Sequence, residues 1–227
     1  MTLMTLSLTF MPTPPRLIDL SNRSDHFHLR DGDECLYFHD YTPRQGATHS
    51  QGNQLIFNLK KSVLRRNEGH YRYKLQAIAQ SAAMLRAAFN QSNWVFNQAT
   101  FSPIPPSKMR DHPEYDDRMT RIIADACQGT NADVRELIIQ GQGYDACHLQ
   151  ADGERLRPAQ LEAMYTLAPP EPRGMVVLVD DVLTTGAHFV AAKNAILAQY
   201  PGTRVVGFFI ARRVVPNPFA NLADFLD

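Results

Sequence analysis

The sequence predicts an α/β fold in which helices flank a central, mostly parallel β-sheet. Short apolar runs of buried-strand length alternate with stretches of helical periodicity across residues 94–211. Strands that alternate with helices are typical of a parallel sheet covered on both faces. The composition, with 44% hydrophobic and 20% charged residues in a chain of 227, is that of a globular protein with one main core.

The first ninety residues carry weaker signals. Residues 1–30 predict an irregular start, because prolines cluster at positions 12–15. In residues 31–90 we expect an added N-terminal module with a strand at 34–41 and a helix from about Tyr71 to Phe89. The apolar stripe that predicts this helix consists of Leu75, Ile78, Ala82, Leu85 and Phe89.

Residues 91–227 are predicted to form the α/β core. A strand begins at Trp94 and is stopped by the prolines after position 102, and a helix follows with Met119, Ile122, Ile123 and Ala126 on one side. Further buried strands are expected at 135–140, 174–181 and 204–211, with a helix at 188–200. We expect the central sheet to lie within residues 94–211.

The segment 175–188 has the construction of a ligand site. Met175 to Val179 form an apolar strand, Asp180 and Asp181 follow it, and a Thr-Thr-Gly turn leads into a helix near His188. Gly186 permits a tight turn in which the amides of residues 184–188 converge on an anion at the positive end of the helix. The two carboxylates repel phosphate, and so we expect them to accept hydrogen bonds from hydroxyls or to hold a hydrated cation. Ribose 5-phosphate combines both requirements.

The string VVLVDDVLTTGA (176–187) resembles the motif with which type I phosphoribosyltransferases bind 5-phosphoribosyl-1-pyrophosphate (PRPP). The resemblance implies that Asp180 and Asp181 bind the ribose hydroxyls. It also implies that the 5′-phosphate is bound by Thr184, Thr185, Gly186, Ala187 and His188. The family usually has Thr or Ser where this chain has His188, whose imidazole donates to phosphate only in the right tautomer or when protonated.

Two further segments are similar to ComF-like and amidophosphoribosyltransferase-like members of this family. Residues 101–119 resemble the pyrophosphate loop and next helix, which implies that pyrophosphate is bound by Pro105, Pro106, Ser107 and Lys108, with Arg110 or Arg118 offering further charge. Residues 155–168 resemble the segment that precedes the PRPP motif, which brings in Arg155 or Arg157. The resemblance covers residues 94–211 and implies a type I phosphoribosyltransferase-like fold.

The resemblance implies an enzyme that transfers the 5-phosphoribosyl group of PRPP to a nitrogen acceptor and releases pyrophosphate. Asp180, Asp181 and Lys108 are the implied catalytic residues. Mg²⁺ is expected to arrive with the substrate phosphates and to reach Asp180 or Asp181 through water. In this family an added module often forms a hood over the acceptor, which is the role expected for residues 31–90.

Two other functions stay open. One is a non-catalytic protein that senses PRPP or a nucleotide. The other is a ComF-like accessory protein acting with nucleic acid, for which the basic run 60–74 is the only support, through Lys60, Lys61, Arg65 and Arg66.

Charge balance and cysteine content restrict the partners and the cellular compartment that the sequence predicts. The 23 basic and 23 acidic residues balance, so no net field favours a polyanionic partner. Three cysteines without paired spacing indicate a cytoplasmic protein, and the apolar start is too short to span a membrane. His26, His28, Cys35 and His39 follow no standard zinc spacing. The sequence leaves the acceptor and homo-oligomerisation open.

Overall fold

A computed structural model of the chain describes residues 13–141 and 156–216. Its strands are β1 (Arg16–Leu17), β2 (Glu34–Tyr41), β3 (Ala99–Pro103), β4 (Asp133–Val134), β5 (Ile138–Gln140), β6 (Tyr165–Leu167), β7 (Met175–Leu183) and β8 (Arg204–Arg213). Six of them form one sheet in the order β1-β2-β8-β7-β3-β4, in which only β1 runs antiparallel to its neighbour. The predicted α/β class with a mostly parallel sheet is confirmed.

Helices cover both faces of this sheet. They are α1 (Gln51–Leu59), α2 (Arg72–Asn90), α3 (Val95–Gln98), α4 (Arg118–Cys127), α5 (Pro158–Glu162) and α6 (Ala187–Gln199). One core lies between the sheet and α1, α2 and α4, and a second lies between the opposite face and α5 and α6. Within residues 13–141 and 156–216, no helix combines the length and apolarity needed to cross a membrane.

Helix α2 confirms most of the predicted stripe but not its first member. Ile78, Ala82 and Leu85 are buried, whereas Leu75 is 44% exposed. Lys74 is buried in its place, at 1% exposure, because its ammonium group finds polar partners inside the protein. Hydrophobicity alone therefore misplaced the buried face at this end of the helix.

Two predicted strands are shorter than expected. The segment from Trp94 starts as a helical turn, α3, and only Ala99–Pro103 is extended. The predicted strand 135–140 reduces to β5, which pairs antiparallel with β6 in a separate two-stranded sheet. The side chain of Ile139 is 49% exposed, so this ribbon is covered on one face only.

The central sheet is wider than predicted, because residues before 94 belong to it. Strand β2 lies at the predicted position and pairs in parallel with β8, and α1 and α2 pack on the sheet beside it. The expectation that the sheet lies within residues 94–211 was therefore wrong. The pairing joins segments about 170 residues apart, as in the alignment of Glu34 with Val206, and no local pattern specifies it.

Strand β7 extends beyond its neighbour β3. The last aligned pair between them is Val179 with Pro103, while β7 continues beside β8 as far as Leu183. Asp180 and Asp181 thus lie within a strand that runs two residues past its predicted end at position 181, at the point where β3 has stopped. The chain leaves β3 for α4 on one face and leaves β7 for α6 on the other. Such a divergence opens a crevice at the carboxyl edge of a parallel sheet, where ligands bind.

The close approach of α1 to β2 generates a prediction. A Cβ atom at Gly52 would lie 2.1 Å from the carbonyl oxygen of Asp40. Gly52→Ala should therefore lower the free energy of unfolding by about 2 kcal/mol, although helix propensity alone predicts a gain. Urea unfolding followed by circular dichroism measures the change. Gly69→Ala is the control, since a Cβ there has no neighbour within 4 Å. Equal unfolding midpoints for both variants would contradict the described packing.

Candidate functional site

The crevice at the carboxyl edge of the sheet contains a cavity of about 550 Å³, here called the larger cavity. Three segments that the sequence singled out line it together. They are the loop after β3, the acid pair of β7 and the turn into α6, represented by Pro105, Pro106, Ser107, Lys108, Asp180, Asp181, Thr184, Thr185, Gly186, Ala187 and His188. The fold thus brings residues about 80 positions apart to one cavity.

The remaining predicted residues that the structure describes are not free in the larger cavity. Arg110 lines an adjacent cavity of about 370 Å³, the smaller cavity, and its Nε donates to Glu136 at 3.0 Å. Arg118 lines both cavities, but carboxylates already hold its guanidinium group. Arg157 immediately precedes α5, and Arg155 lies outside the described residues.

Asp181 faces the layer that contains α1 and α4, and its side chain is 6% exposed. Its Oδ2 accepts from Nε and Nη2 of Arg118 at 3.1 and 2.5 Å, and Nζ of Lys60 lies 3.4 Å from its Oδ1. Burial alone would raise the pKa of Asp181, but Lys60 and Arg118 outweigh it and hold that pKa well below the usual range. Asp181 is therefore a buried anion with two cationic partners.

Asp180 lies in a different environment from its neighbour. Successive side chains of a strand point to opposite faces, so Asp180 points away from Arg118, and it lines both cavities. Its Oδ1 accepts from the backbone N–H of Asp181 at 2.7 Å. Burial, and then the charge of Asp181, raise the pKa of Asp180. The adjacent acids thus differ in exposure, in partners and in proton affinity.

The ion pair of Asp181 belongs to a longer chain of charges. Nη1 of Arg118 lies 2.7 Å from Oδ2 of Asp116, and the same oxygen accepts from Nζ of Lys74 at 2.6 Å. Burial lowers the pKa of Lys74, while the bond to Asp116 opposes that shift. The network connects β7 with α4 and α2.

Lys74 also fixes the end of α1. Its Nζ donates to the carbonyl oxygens of Leu59 and, at 3.0 Å, of Lys61. These two residues flank Lys60, and so Lys74 positions the backbone that carries Lys60 to Asp181. From the sequence, Lys60 was assigned only to the nucleic-acid alternative, and neither Lys74 nor Asp116 was singled out. The one available signal was a lysine next to the predicted apolar stripe of α2.

The turn into α6 has the backbone that the motif predicted. Gly186 precedes the helix with φ of +87°, and a Cβ atom there would lie 2.9 Å from Cδ2 of Leu29. The positive φ and the short distance to Leu29 both require glycine at this position. The 13-residue helix that follows leaves its first N–H groups without intrahelical acceptors, which favours an anion at this end. His188 is the second residue of α6 and is half-buried.

The site fits a metal ion that arrives with its ligand. Within the described ranges 13–141 and 156–216, no three His, Cys, Asp or Glu side chains are grouped to hold a metal, and this includes the four residues weighed for zinc. Mg²⁺ bound mainly by substrate phosphates and water needs only one or two carboxylates from the protein. Asp180, which is partly exposed in the crevice, fits that requirement.

Comparison with known proteins adds no assignment. No family model matches the chain, and no curated protein matches it. Functional assignment therefore depends on the geometry of the larger cavity and on the motif itself.

The different partners of the two acids predict different effects on stability. Asp181→Asn should lower the free energy of unfolding by about 3 kcal/mol at pH 7, because Arg118 and Lys60 lose their shared anion. Asp180→Asn is the matched control and should not lower it, since burial and Asp181 already disfavour the charged form. Denaturant titration measures both variants. A similar loss of stability in both variants would contradict the ion pairs of Asp181 with Arg118 and Lys60.

Asp180 should also give the stability a defined pH dependence. Its folded pKa is raised, while an aspartate in the unfolded chain titrates near pH 4. The native state therefore binds the proton more tightly, and this contribution to stability is lost as the pH rises from about 4 through the raised pKa. The stability of the wild type relative to Asp180→Asn should fall over that range in denaturant titrations. A difference that does not change with pH would contradict the assignment.

Proposed function

We propose that the chain binds PRPP in the larger cavity and transfers its 5-phosphoribosyl group to a nitrogen acceptor, with release of pyrophosphate. The convergence of three segments at the crevice between β3 and β7 supports this proposal most directly. A ligand with a phosphate at one end, a pyrophosphate at the other and a diol between them requires two anion-binding loops and carboxylates for the diol. The larger cavity is lined by two such loops and by the carboxylates.

Each part of the ligand has a proposed partner. The 5′-phosphate lies on the turn 184–188 at the start of α6. The ribose hydroxyls bond to Asp180, the more exposed acid, while Asp181 keeps its ion pairs and sets the charge beneath the sugar. The pyrophosphate lies on the loop of Pro106, Ser107 and Lys108, where the lysine supplies positive charge.

The proposed reaction is a displacement at C1 of the ribose. The bond from C1 to the pyrophosphate oxygen breaks, and that oxygen keeps the electron pair. The acceptor nitrogen forms the new bond to C1 and loses a proton to water. The residues act by holding the sugar in position and by stabilising the leaving group. Mg²⁺, when bound, supplies further charge to the pyrophosphate.

The basic run does not favour the nucleic-acid alternative. Lys60 and Lys61 both line the larger cavity, and Lys60 lies beside Asp181. Two of the four residues that suggested a nucleic-acid surface thus have another place in the structure. A PRPP sensor would use the same cavity, and turnover separates it from an enzyme.

Binding of PRPP tests the site. Isothermal titration calorimetry with PRPP and excess Mg²⁺ should show binding, and Asp180→Asn should weaken it at least about tenfold, because an amide offers the ribose hydroxyls one neutral acceptor oxygen in place of the two oxygens of a carboxylate. Asp125→Asn, an exposed position on α4 outside the cavity, is the matched control and should bind as the wild type does. Equal affinity of the two variants would remove the assignment of the ribose site.

Measurement of turnover tests whether the protein is an enzyme. Pyrophosphate release should appear when PRPP is supplied with a panel of ammonia, purines, pyrimidines and amines. Binding without release by any acceptor would identify a PRPP sensor. Failure to bind PRPP would contradict both functions.

A further inference from the structure

Residues 26–29, here called the brace, lie against the turn that precedes α6. His26 ends the 3₁₀ turn Arg23–His26 and is fully buried. Its Nδ1 is in hydrogen-bonding contact with the carbonyl oxygen of Thr184. The backbone N–H of His28 donates to the carbonyl oxygen of Thr185 at 3.0 Å. The brace therefore holds two successive carbonyl groups of the turn.

These two contacts orient the turn. A trans peptide unit is planar, and its C=O and N–H groups point in opposite directions. When the carbonyl groups of Thr184 and Thr185 point toward the brace, the N–H groups of Thr185 and Gly186 point away from it. Both of these residues line the larger cavity. Leu29 packs where a Cβ of Gly186 would lie, which fixes the turn from the same side.

The tautomer of His26 follows from its partners. A carbonyl oxygen only accepts hydrogen bonds, so Nδ1 carries the hydrogen. Nε2 is buried and has no hydrogen-bond partner among the described residues. The ring is therefore neutral, with its hydrogen on Nδ1. A second proton would be placed on a buried nitrogen that has no acceptor.

We propose that His26 is a positioning residue for phosphate, which holds the carbonyl of Thr184 so that the N–H groups of the turn face the larger cavity. The identity of the ligand in this inference rests on the proposed function, whereas the orientation of the turn is independent of it. It gives a role to an N-terminal segment that resembles no family motif. The ligand class is a phosphate monoester such as the 5′-phosphate of a ribose.

The surroundings of His26 make this role dependent on pH. The hydrogen bond to the carbonyl of Thr184 and the charge of Asp25 on the same 3₁₀ turn favour the protonated ring, whereas Arg212 and Arg213 of β8 disfavour it. Burial has the largest effect and lowers the pKa of His26. The contribution of the neutral ring is complete above the unfolded pKa, near 6.5, and is lost as the pH falls toward the lowered folded pKa. Acid therefore loosens the turn.

Nuclear magnetic resonance of the ligand-free protein tests the brace directly. His26→Leu removes the donor at similar volume, whereas the side-chain amide of His26→Asn replaces the Nδ1–H donor. In the leucine variant the ¹⁵N order parameters of Thr185 and Gly186 should fall from about 0.85 to below about 0.6, and asparagine should restore them. Ile78→Val, in the core on the opposite face, is the control for general destabilisation. Unchanged order parameters in the leucine variant, or a wild-type ring protonated on Nε2, would overturn the inference.

Ligand titrations test the link to phosphate. His26→Leu should weaken binding of ribose 5-phosphate about tenfold and leave inorganic pyrophosphate, expected at the loop 105–108, within about twofold. His26→Asn should stay within about threefold of the wild type and lose the part of the pH dependence that comes from the imidazole. The phosphate of the ligand itself titrates near pH 6, and this part of the pH dependence should be the same for the wild type and the variant. Equal weakening of both ligands would show a general structural role instead.

The two proposals can fail separately. If the wild type binds neither PRPP nor ribose 5-phosphate, the proposed function is wrong, while the order parameters still decide whether His26 orients the turn. If PRPP binds but His26→Leu leaves ribose 5-phosphate affinity unchanged, the positioning role is wrong and the proposed function stands.

Discussion

The ion pair between Asp181 and Arg118 is the interaction on which the arrangement of this site depends. A carboxylate buried at the carboxyl edge of a sheet is costly unless it is paired and hydrogen-bonded. Arg118 meets that need from the first turn of α4, and Asp116 and Lys74 extend the pairing to α2. The loop 105–108 lies between β3 and α4, and both neighbours are tied to β7, β3 through the N–H of Ile104 to Val179 and α4 through this ion pair. The same ion pair therefore contributes both to the packing of α4 on the sheet and to the geometry of the site.

The two faces of the sheet contribute differently to the crevice. On the face of α1 and α4, cations neutralise Asp181 and keep it ionised. On the other face, Asp180 is open to both cavities and holds its proton more tightly. The residues before position 61 reach the site twice, through the brace that holds the turn into α6 and through Lys60. The N-terminal part of the chain therefore belongs to the site as well as to the sheet.

Local patterns predicted the parts of the structure that depend on local sequence. The strand of β2, the buried side of α4 and the Gly186 turn lie where periodicity and turn chemistry placed them. The failures share a cause. Lys74 is buried because carbonyl groups of α1 and Asp116 receive its hydrogen bonds, and His26 meets Thr184 across 158 positions. Contacts between residues so distant along the chain produce no periodic pattern in the local sequence. The sequence therefore indicated the acids, the loops and the cations Arg118 and Lys60, but not that these cations pair with Asp181, nor the supporting residues Lys74, Asp116 and His26.

A crystal structure of the protein with PRPP and Mg²⁺ would show whether the larger cavity is the ligand site. We expect the 5′-phosphate within hydrogen-bonding distance of the amides of the turn 184–188, the ribose hydroxyls at Asp180, and the pyrophosphate at Lys108. Asp181 should keep its contact with Arg118. PRPP bound in the smaller cavity beside Arg110, with the turn 184–188 untouched, would contradict this assignment.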